Sequence, residues 1–314
     1  MTFRIKNLTF ENVMLAPMAG VTDAPFRSMV RRFGNELVFS EMVLAESLVR
    51  GHDKTTRMAD KTERDAPFAV QIVGRDPAVM ADAAVIAEKQ GAFVDINMGC
   101  PVPKIVKAGE GSALMEDEGR AERIVRAVSD AVRCPVTVKF RLGVDDERRN
   151  YVDFGKRMRD AGASALILHA RTRRQMYSGS ADIRAFAALK EAVDVPVVAN
   201  GDIRTAADAE RVFERTGADA VMVGRGALGR PWALAEVAGR NPMPGGATAD
   251  FVLDHFGALE KYYGRNAIFI ARKHIAWYSL GRQGGAAFRE RVNTESDPAA
   301  VKEMIGAFFG TDDG

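Results

Sequence analysis

Eight short runs of apolar, mostly β-branched residues, each followed by a loop or a stretch of helical periodicity, restrict this chain to few folds. The runs fall at residues 13–17, 37–42, 68–73, 93–98, 136–141, 165–171, 195–202 and 218–225. Amphipathic stretches at 76–90, 118–132, 151–160, 183–193 and 206–215 separate them. Three of these stretches give way to a glycine, Gly91, Gly162 or Gly217, just before the next run, the usual position of a helix C-cap. Strands alternating with helices read as parallel strands joined by crossovers. The pattern predicts an α/β fold, a (β/α)8 TIM barrel, with a doubly wound open sheet as the alternative.

The parity of the strands favours the barrel. In Val136-Thr137-Val138-Lys139-Phe140-Arg141 the apolar residues share one face, and Thr137, Lys139 and Arg141 share the other. His169 and Arg171 fall together on the sixth run, Gln71 lies within the third, and Asn200 and Asp202 end the seventh. Charges pointing into a packed interior are costly unless paired. At the C-terminal mouth of a barrel the same residues make a polar site, where barrel enzymes keep their chemistry.

The fourth run ends in Asp95-Ile96-Asn97-Met98-Gly99-Cys100-Pro101, a strand leading into a turn with a thiol at its tip. Asp95 and Asn97 share a face, and Pro101 stops the strand. An isolated cysteine is by default a small core residue. Here a glycine-rich loop, Lys107-Ala108-Gly109-Glu110-Gly111-Ser112, follows it, long enough to fold over a ligand. The other cysteine, Cys134, precedes the fifth run and reads as packing. Two cysteines make no disulfide framework, which points to a reducing compartment.

Phosphate sites in barrels often use the loops after strands seven and eight. Those loops read Asn200-Gly201-Asp202 and Gly224-Arg225-Gly226-Ala227-Leu228-Gly229. Glycine-freed amides, an arginine and a following helix start suit a phosphate. The second loop also spells GxGxxG, but a dinucleotide fold needs an acidic strand end some 20 residues on. Pro231, Pro242 and Pro244 occupy that region instead.

Past the linker-like stretch 239–246 the strand pattern stops, and 251–263, 267–280 and 299–309 read as helices. The 44 basic and 42 acidic residues nearly cancel, yet from Lys261 to Arg291 the basic residues dominate and Glu290 is the lone acid. Tyr262, Tyr263, His274, Trp277 and Tyr278 are interleaved with them. This is either a solvated face over an aromatic core or a surface for a nucleic acid backbone. The N-terminus has no signal-peptide pattern and no run is long enough to span a bilayer, so a soluble cytoplasmic protein is expected.

With these motifs placed, the sequence resembles the tRNA-dihydrouridine synthases, most closely the bacterial B-type, over nearly its whole length. The matching segments are Ala16-Pro17-Met18-Ala19-Gly20-Val21-Thr22-Asp23, Ser40-Glu41-Met42, the thiol motif, Val198-Ala199-Asn200-Gly201-Asp202-Ile203, Gly224-Arg225 through Gly229-Arg230-Pro231-Trp232, and Ala271-Arg272-Lys273-His274. The resemblance implies an FMN-binding catalytic barrel over 1–243 and a helical tRNA-binding domain over 248–314. It implies reduction of uridine in tRNA to 5,6-dihydrouridine, with NADPH reducing the flavin, no metal and no obligate protein partner. By resemblance Pro17, Met18, Ala19, Gln71, Lys139, Asn200, Gly201, Asp202, Gly224 and Arg225 contact FMN, and Cys100 is the proton donor. A thiol of ordinary pKa, about 8.5, is mostly protonated at neutral pH and suits that role. Asn97, His169 and Arg171 are expected at the uracil carbonyls, and Arg272 and Lys273 at the tRNA.

Overall fold

The computed structural model describes residues 2–34, 37–60, 67–243 and 245–310. Two strands, β1 (Thr2–Ile5) and β2 (Leu8–Glu11), form an antiparallel hairpin turning at Lys6, where φ is +52°. The parallel strands follow: β3 (Val13–Leu15), β4 (Val38–Phe39), β5 (Val43–Leu44), β6 (Phe68–Val73), β7 (Phe93–Met98), β8 (Val136–Arg141), β9 (Ala165–His169), β10 (Val197–Asn200) and β11 (Ala220–Val223). Their order is β3-β11-β10-β9-β8-β7-β6-β4. The Leu15 amide donates to the Leu37 carbonyl at 2.9 Å, and a Met14–Leu37 bridge joins the two ends of that order. The sheet is therefore a barrel, and the open-sheet alternative falls away.

Of residues 37–42, expected as one strand, only Val38–Phe39 are β4; a second short strand, β5, starts just beyond the run at Val43. Both β4 and β5 pair with β6, in the registers Phe39↔Ala69 and Val43↔Ile72, so four steps along one strand match three along the other. The surplus residue is a bulge. Ser40 stabilises it: its amide donates to the Ala69 carbonyl and its hydroxyl accepts from the Gln71 amide, both at 2.9 Å. The runs 68–73, 93–98 and 136–141 match their strands, whereas 165–171, 195–202 and 218–225 extend past theirs and place Arg171, Asp202 and Arg225 beyond the strand ends.

Side-chain parity sorts the barrel into two cores. Outward-facing Val13, Val70, Ile96, Val138, Leu166 and Val221 pack under the surrounding helices. Inward-facing Met14, Phe39, Ala69, Phe93, Ile167, Val198 and Met222 form a separate core with Phe3, Ile5 and Phe10 of the hairpin. Phe10 meets Phe93 edge-on at 5.7 Å, and Phe93 is the first residue of β7. The hairpin thus stoppers the N-terminal end of the barrel. Its two four-residue strands carry no helical follow-up and were not among the eight expected runs.

The C-terminal helices are Ala249–Tyr263, Ala267–Tyr278, Gly285–Thr294 and Pro298–Phe309. Gly285–Thr294 was not expected, because Phe288 and Val292 are its only large buried apolar residues. These helices share one core with Met29 of the helix Ala24–Val30 and with Trp232. At this seam Asp23, 3 % exposed, caps Ala24–Val30 through the Phe26 amide at 2.9 Å and accepts from the Tyr263 hydroxyl at 3.0 Å.

Burial raises the Asp23 carboxyl to about 6, with Glu41 adding to the rise, against the pull of the Phe26 amide, Tyr263 and Lys273. The folded state therefore holds this proton where the unfolded chain has released it. Stability falls as pH rises from about 4 through 6, by about 3 kcal/mol in all. Asp23→Asn keeps a capping side chain and removes the ionisation. Urea unfolding from pH 4 to 8 is expected to show the variant gaining on the wild type across that window and levelling off above pH 7. A difference that does not vary with pH would refute the assignment.

Candidate active site

The polar residues at the mouth are arranged by strand register. Gln71, Asp95 and Thr137 are direct neighbours on β6, β7 and β8. One rung higher are Asn97 and Lys139, and above them Arg141, His169 and Asn200. They lie beneath a cavity of about 410 Å³ lined by Pro17, Met18, Ala19, Gln71, Asn97, Cys100, Lys139, His169, Arg171, Asn200, Gly201, Asp202, Gly224 and Arg225. Every residue expected at a cofactor or uracil is thus in one place. Met42, Arg141, Tyr177 and Arg204 also line it. Arg141 was visible in the strand parity, whereas Tyr177 lies in an irregular loop that no periodicity marks.

Cys100 is clamped from several sides. Asn97 Oδ1 accepts from the Gly99 and Cys100 amides at 3.1 and 2.9 Å. The Cys100 carbonyl accepts from the Ser112 hydroxyl at 2.8 Å, and Arg141 Nε donates to the Gly99 carbonyl at 2.7 Å. Gly111, at φ +58°, lets the following loop fold onto this turn, since a Cβ there would lie 2.9 Å from the Cys100 carbonyl oxygen. Pro103 opens the short helix Pro103–Lys107, a position where its missing N–H costs nothing. Burial pushes the Cys100 thiol above its ordinary pKa, against the Val102 amide, Arg141 and Lys139.

The cavity is cationic. Burial lowers Lys139 to about 8, Arg141 adds to the shift, and Asp95 opposes it. The Lys139 ammonium donates to Asn200 Oδ1 at 2.8 Å, and Asn200 Nδ2 donates to the Met222 carbonyl at 2.9 Å. Burial, together with Lys139, Arg141, Arg171 and Arg225, holds His169 well below its usual pKa, so the ring is neutral. Arg171 is 1 % exposed and donates to the Ser178 and Gly179 carbonyls and to Asp202. Its Nη1 is buried with no hydrogen-bond partner among the described residues. A Cβ on Gly201, where φ is +138°, would lie 3.7 Å from that nitrogen and 2.8 Å from Ala181 Cβ. Asp202, at φ +53°, also accepts from the Ala181 amide and pairs with Arg225 at 3.5 Å. Despite partial burial, Arg171 and these contacts keep its carboxyl low.

Arg272 and Lys273 lie outside the cavity and point in different directions. Arg272 Nη2 donates to the Glu295 carbonyl at 2.7 Å, and its guanidinium lies over Phe269 at 5.1 Å. The Lys273 ammonium reaches the loop after β3, 3.7 Å from where a Gly20 Cβ would stand. Cys134 packs against the outer core, its amide donating to Glu88 at 2.7 Å. No cluster of His, Cys, Asp and Glu among the described residues is arranged to hold a metal.

The dihydrouridine synthase family model matches residues 14–309. A probable tRNA-dihydrouridine synthase of Rickettsia bellii is 44% identical over 308 residues, 95% of this chain and 94% of that protein. The tRNA-dihydrouridine synthase B of Xanthomonas axonopodis pv. citri is 43% identical over 306 residues, 95% of this chain and 92% of that protein. Among solved structures, morphinone reductase in complex with tetrahydroNAD shares the fold, with a TM-score of 0.55 at 13% identity over 78% of this chain and 92% of that one. With motifs, barrel and relatives in agreement, the chain belongs to the dihydrouridine synthase family.

Proposed function

We propose that this protein reduces uridine in tRNA to 5,6-dihydrouridine, with FMN in the barrel cavity and NADPH as the reductant. The observation that carries this reading is Cys100, a thiol kept protonated by burial and pinned on the wall of the cavity that also holds Lys139. A nucleophilic cysteine needs the opposite environment, one that depresses its pKa.

The residues present suit FMN. Arg171, expected at a uracil carbonyl, is assigned here instead to an anionic group such as a phosphate, because its Nη1, without a partner among the described residues, lies beside Gly201 with Arg225 close by. Asp202 orients both arginines. Pro17, Met18, Ala19, Gln71, Lys139, Asn200 and Gly224 line the remainder of the cavity and are assigned to the same group. Once reduced, bound FMN supplies the hydride that adds to C6 of uracil. Cys100 delivers the proton to C5 from a turn whose backbone Asn97 and Ser112 hold in place. Lys139, fixed by Asn200, stabilises the negative charge that builds up during the transfer. Neutral His169 and the spare N–H of Asn97 are assigned to the uracil carbonyls.

A buried site of this kind takes its base unstacked, and unstacking costs least in single-stranded loops. We assign residues 1–243 to the catalytic barrel and 248–314 to tRNA binding, with Lys273 next to the mouth and Arg272 one residue back on the same helix. The reaction is assigned to the cytoplasm. Among the described residues no helix is long and apolar enough to cross a membrane.

Stopped-flow reoxidation of the reduced, FMN-loaded enzyme by unmodified tRNA tests the chemistry. Cys100→Ala is expected to accept electrons from NADPH at the normal rate and to slow reoxidation by tRNA about 10²–10⁴-fold, the usual worth of a general acid. Cys134→Ala serves as the control and is expected to turn over normally. Undiminished reoxidation in Cys100→Ala would place the acid elsewhere, and a wild-type chain that takes up no FMN would sink the reading.

The tail makes a separate prediction. Replacing Arg272 and Lys273 together with Ala is expected to weaken tRNA binding at least several-fold and to flatten its salt dependence, because fewer phosphates are neutralised. FMN content should stay at the wild-type level. Equal affinities for the folded variant and the wild type across a salt series would show that the tRNA lies on another surface.

A further inference from the structure

Asp95 is fully buried under the cavity and is not among the residues that line it. We propose that it is a positioning residue: it fixes which way the Gln71 and Asn97 amides face and, through Asn97, holds the Cys100 turn. The inference rests on reading the cavity as the flavin and uracil site.

The argument is one of hydrogen-bond polarity. An ionised carboxylate only accepts. Thr137 Oγ1 donates to Asp95 Oδ1 at 2.5 Å, and Gln71 Nε2 donates to Asp95 Oδ2 at 2.7 Å. Gln71 must therefore turn its Oε1 towards Asn97, whose Nδ2 donates to it at 2.8 Å. That leaves Asn97 Oδ1 for the Gly99 and Cys100 amides. Reversing either amide would set oxygen against oxygen or N–H against N–H. Protonation does not undo the order, because a carboxyl proton on Oδ1 can face Thr137 Oγ1 while Oδ2 still receives Gln71. Strand register supplies the geometry, with Gln71, Asp95 and Thr137 side by side on adjacent strands.

The relay also sets what the cavity floor offers. Each of the two amides has one N–H left over, and the Lys139 ammonium sits beside them. The floor then presents donors only, which suits the carbonyl-bearing edge of a pyrimidine-type ring.

The test compares Asp95→Asn, Asp95→Val and Thr137→Val in the full-length chain carrying Cys134→Ala, so that alkylation reports Cys100 alone. The readouts are the iodoacetamide alkylation rate of the flavin-free protein and the Kd for FMN. Asn offers Gln71 an oxygen and Thr137 an N–H, so Asp95→Asn should stay within about threefold of the parent on both. Asp95→Val should change the alkylation rate more than about fivefold and weaken FMN about tenfold, the value of one lost buried hydrogen bond. Thr137→Val should shift both measures in the same direction, by at least about twofold. Parental values in a folded Asp95→Val would overturn the proposal, as would parental values in Thr137→Val if Asp95→Val does not fold. So would an Asp95→Asn as impaired as Asp95→Val. A parent that binds no FMN defeats the functional reading, and the alkylation rates still decide the relay.

Discussion

A closed parallel barrel sends every strand side chain outward under the helices or inward to a confined axis, and the inward set must fill that axis without stranding a polar atom. This chain divides the axis by height. The lower rungs are apolar and packed against the N-terminal hairpin. The upper rungs are polar and paired between strands: Thr137–Asp95–Gln71–Asn97 links neighbouring strands, and Lys139 reaches past β9 to Asn200 on β10. Buried polar networks of this kind hold only when every member is satisfied. Among the described residues Arg171 Nη1 is an exception at this cavity, a buried donor without a partner beside Gly201 of the lining.

Much of this was legible in the chain itself because strand parity has a period of two. Once eight strands are recognised, Lys139, Arg141, His169 and Asn200 are forced to a common interior. Other features had no such signal. The bulge at Ser40 depends on a register between strands that one strand's sequence does not contain. The hairpin is built from two runs of four residues, short enough to pass for a disordered start. Arg272 and Lys273 looked like one basic patch, but adjacent positions on a helix point about 100° apart, and the two side chains go to Glu295 and Gly20.

The seam between barrel and C-terminal helices is more than a boundary. The loop after β3 gives Met18 and Ala19 to the cavity, Gly20 to the neighbourhood of Lys273, and Asp23 to Tyr263. Glu41, brought over by the bulge, accepts from the Gly20 amide on the same loop. One short segment, Met18 to Asp23, thus forms part of the cavity wall and also meets the C-terminal helices, all within eight residues of the end of β3.

The hairpin stopper carries a kinetic consequence. Among the described residues Phe3, Ile5 and Phe10 fill the lower end of the barrel, and the cavity lies at its C-terminal end. Two bulky molecules that each need the cavity floor cannot occupy it together. If the proposed reductant and the tRNA base both use that floor, they do so in turn, one leaving before the other enters.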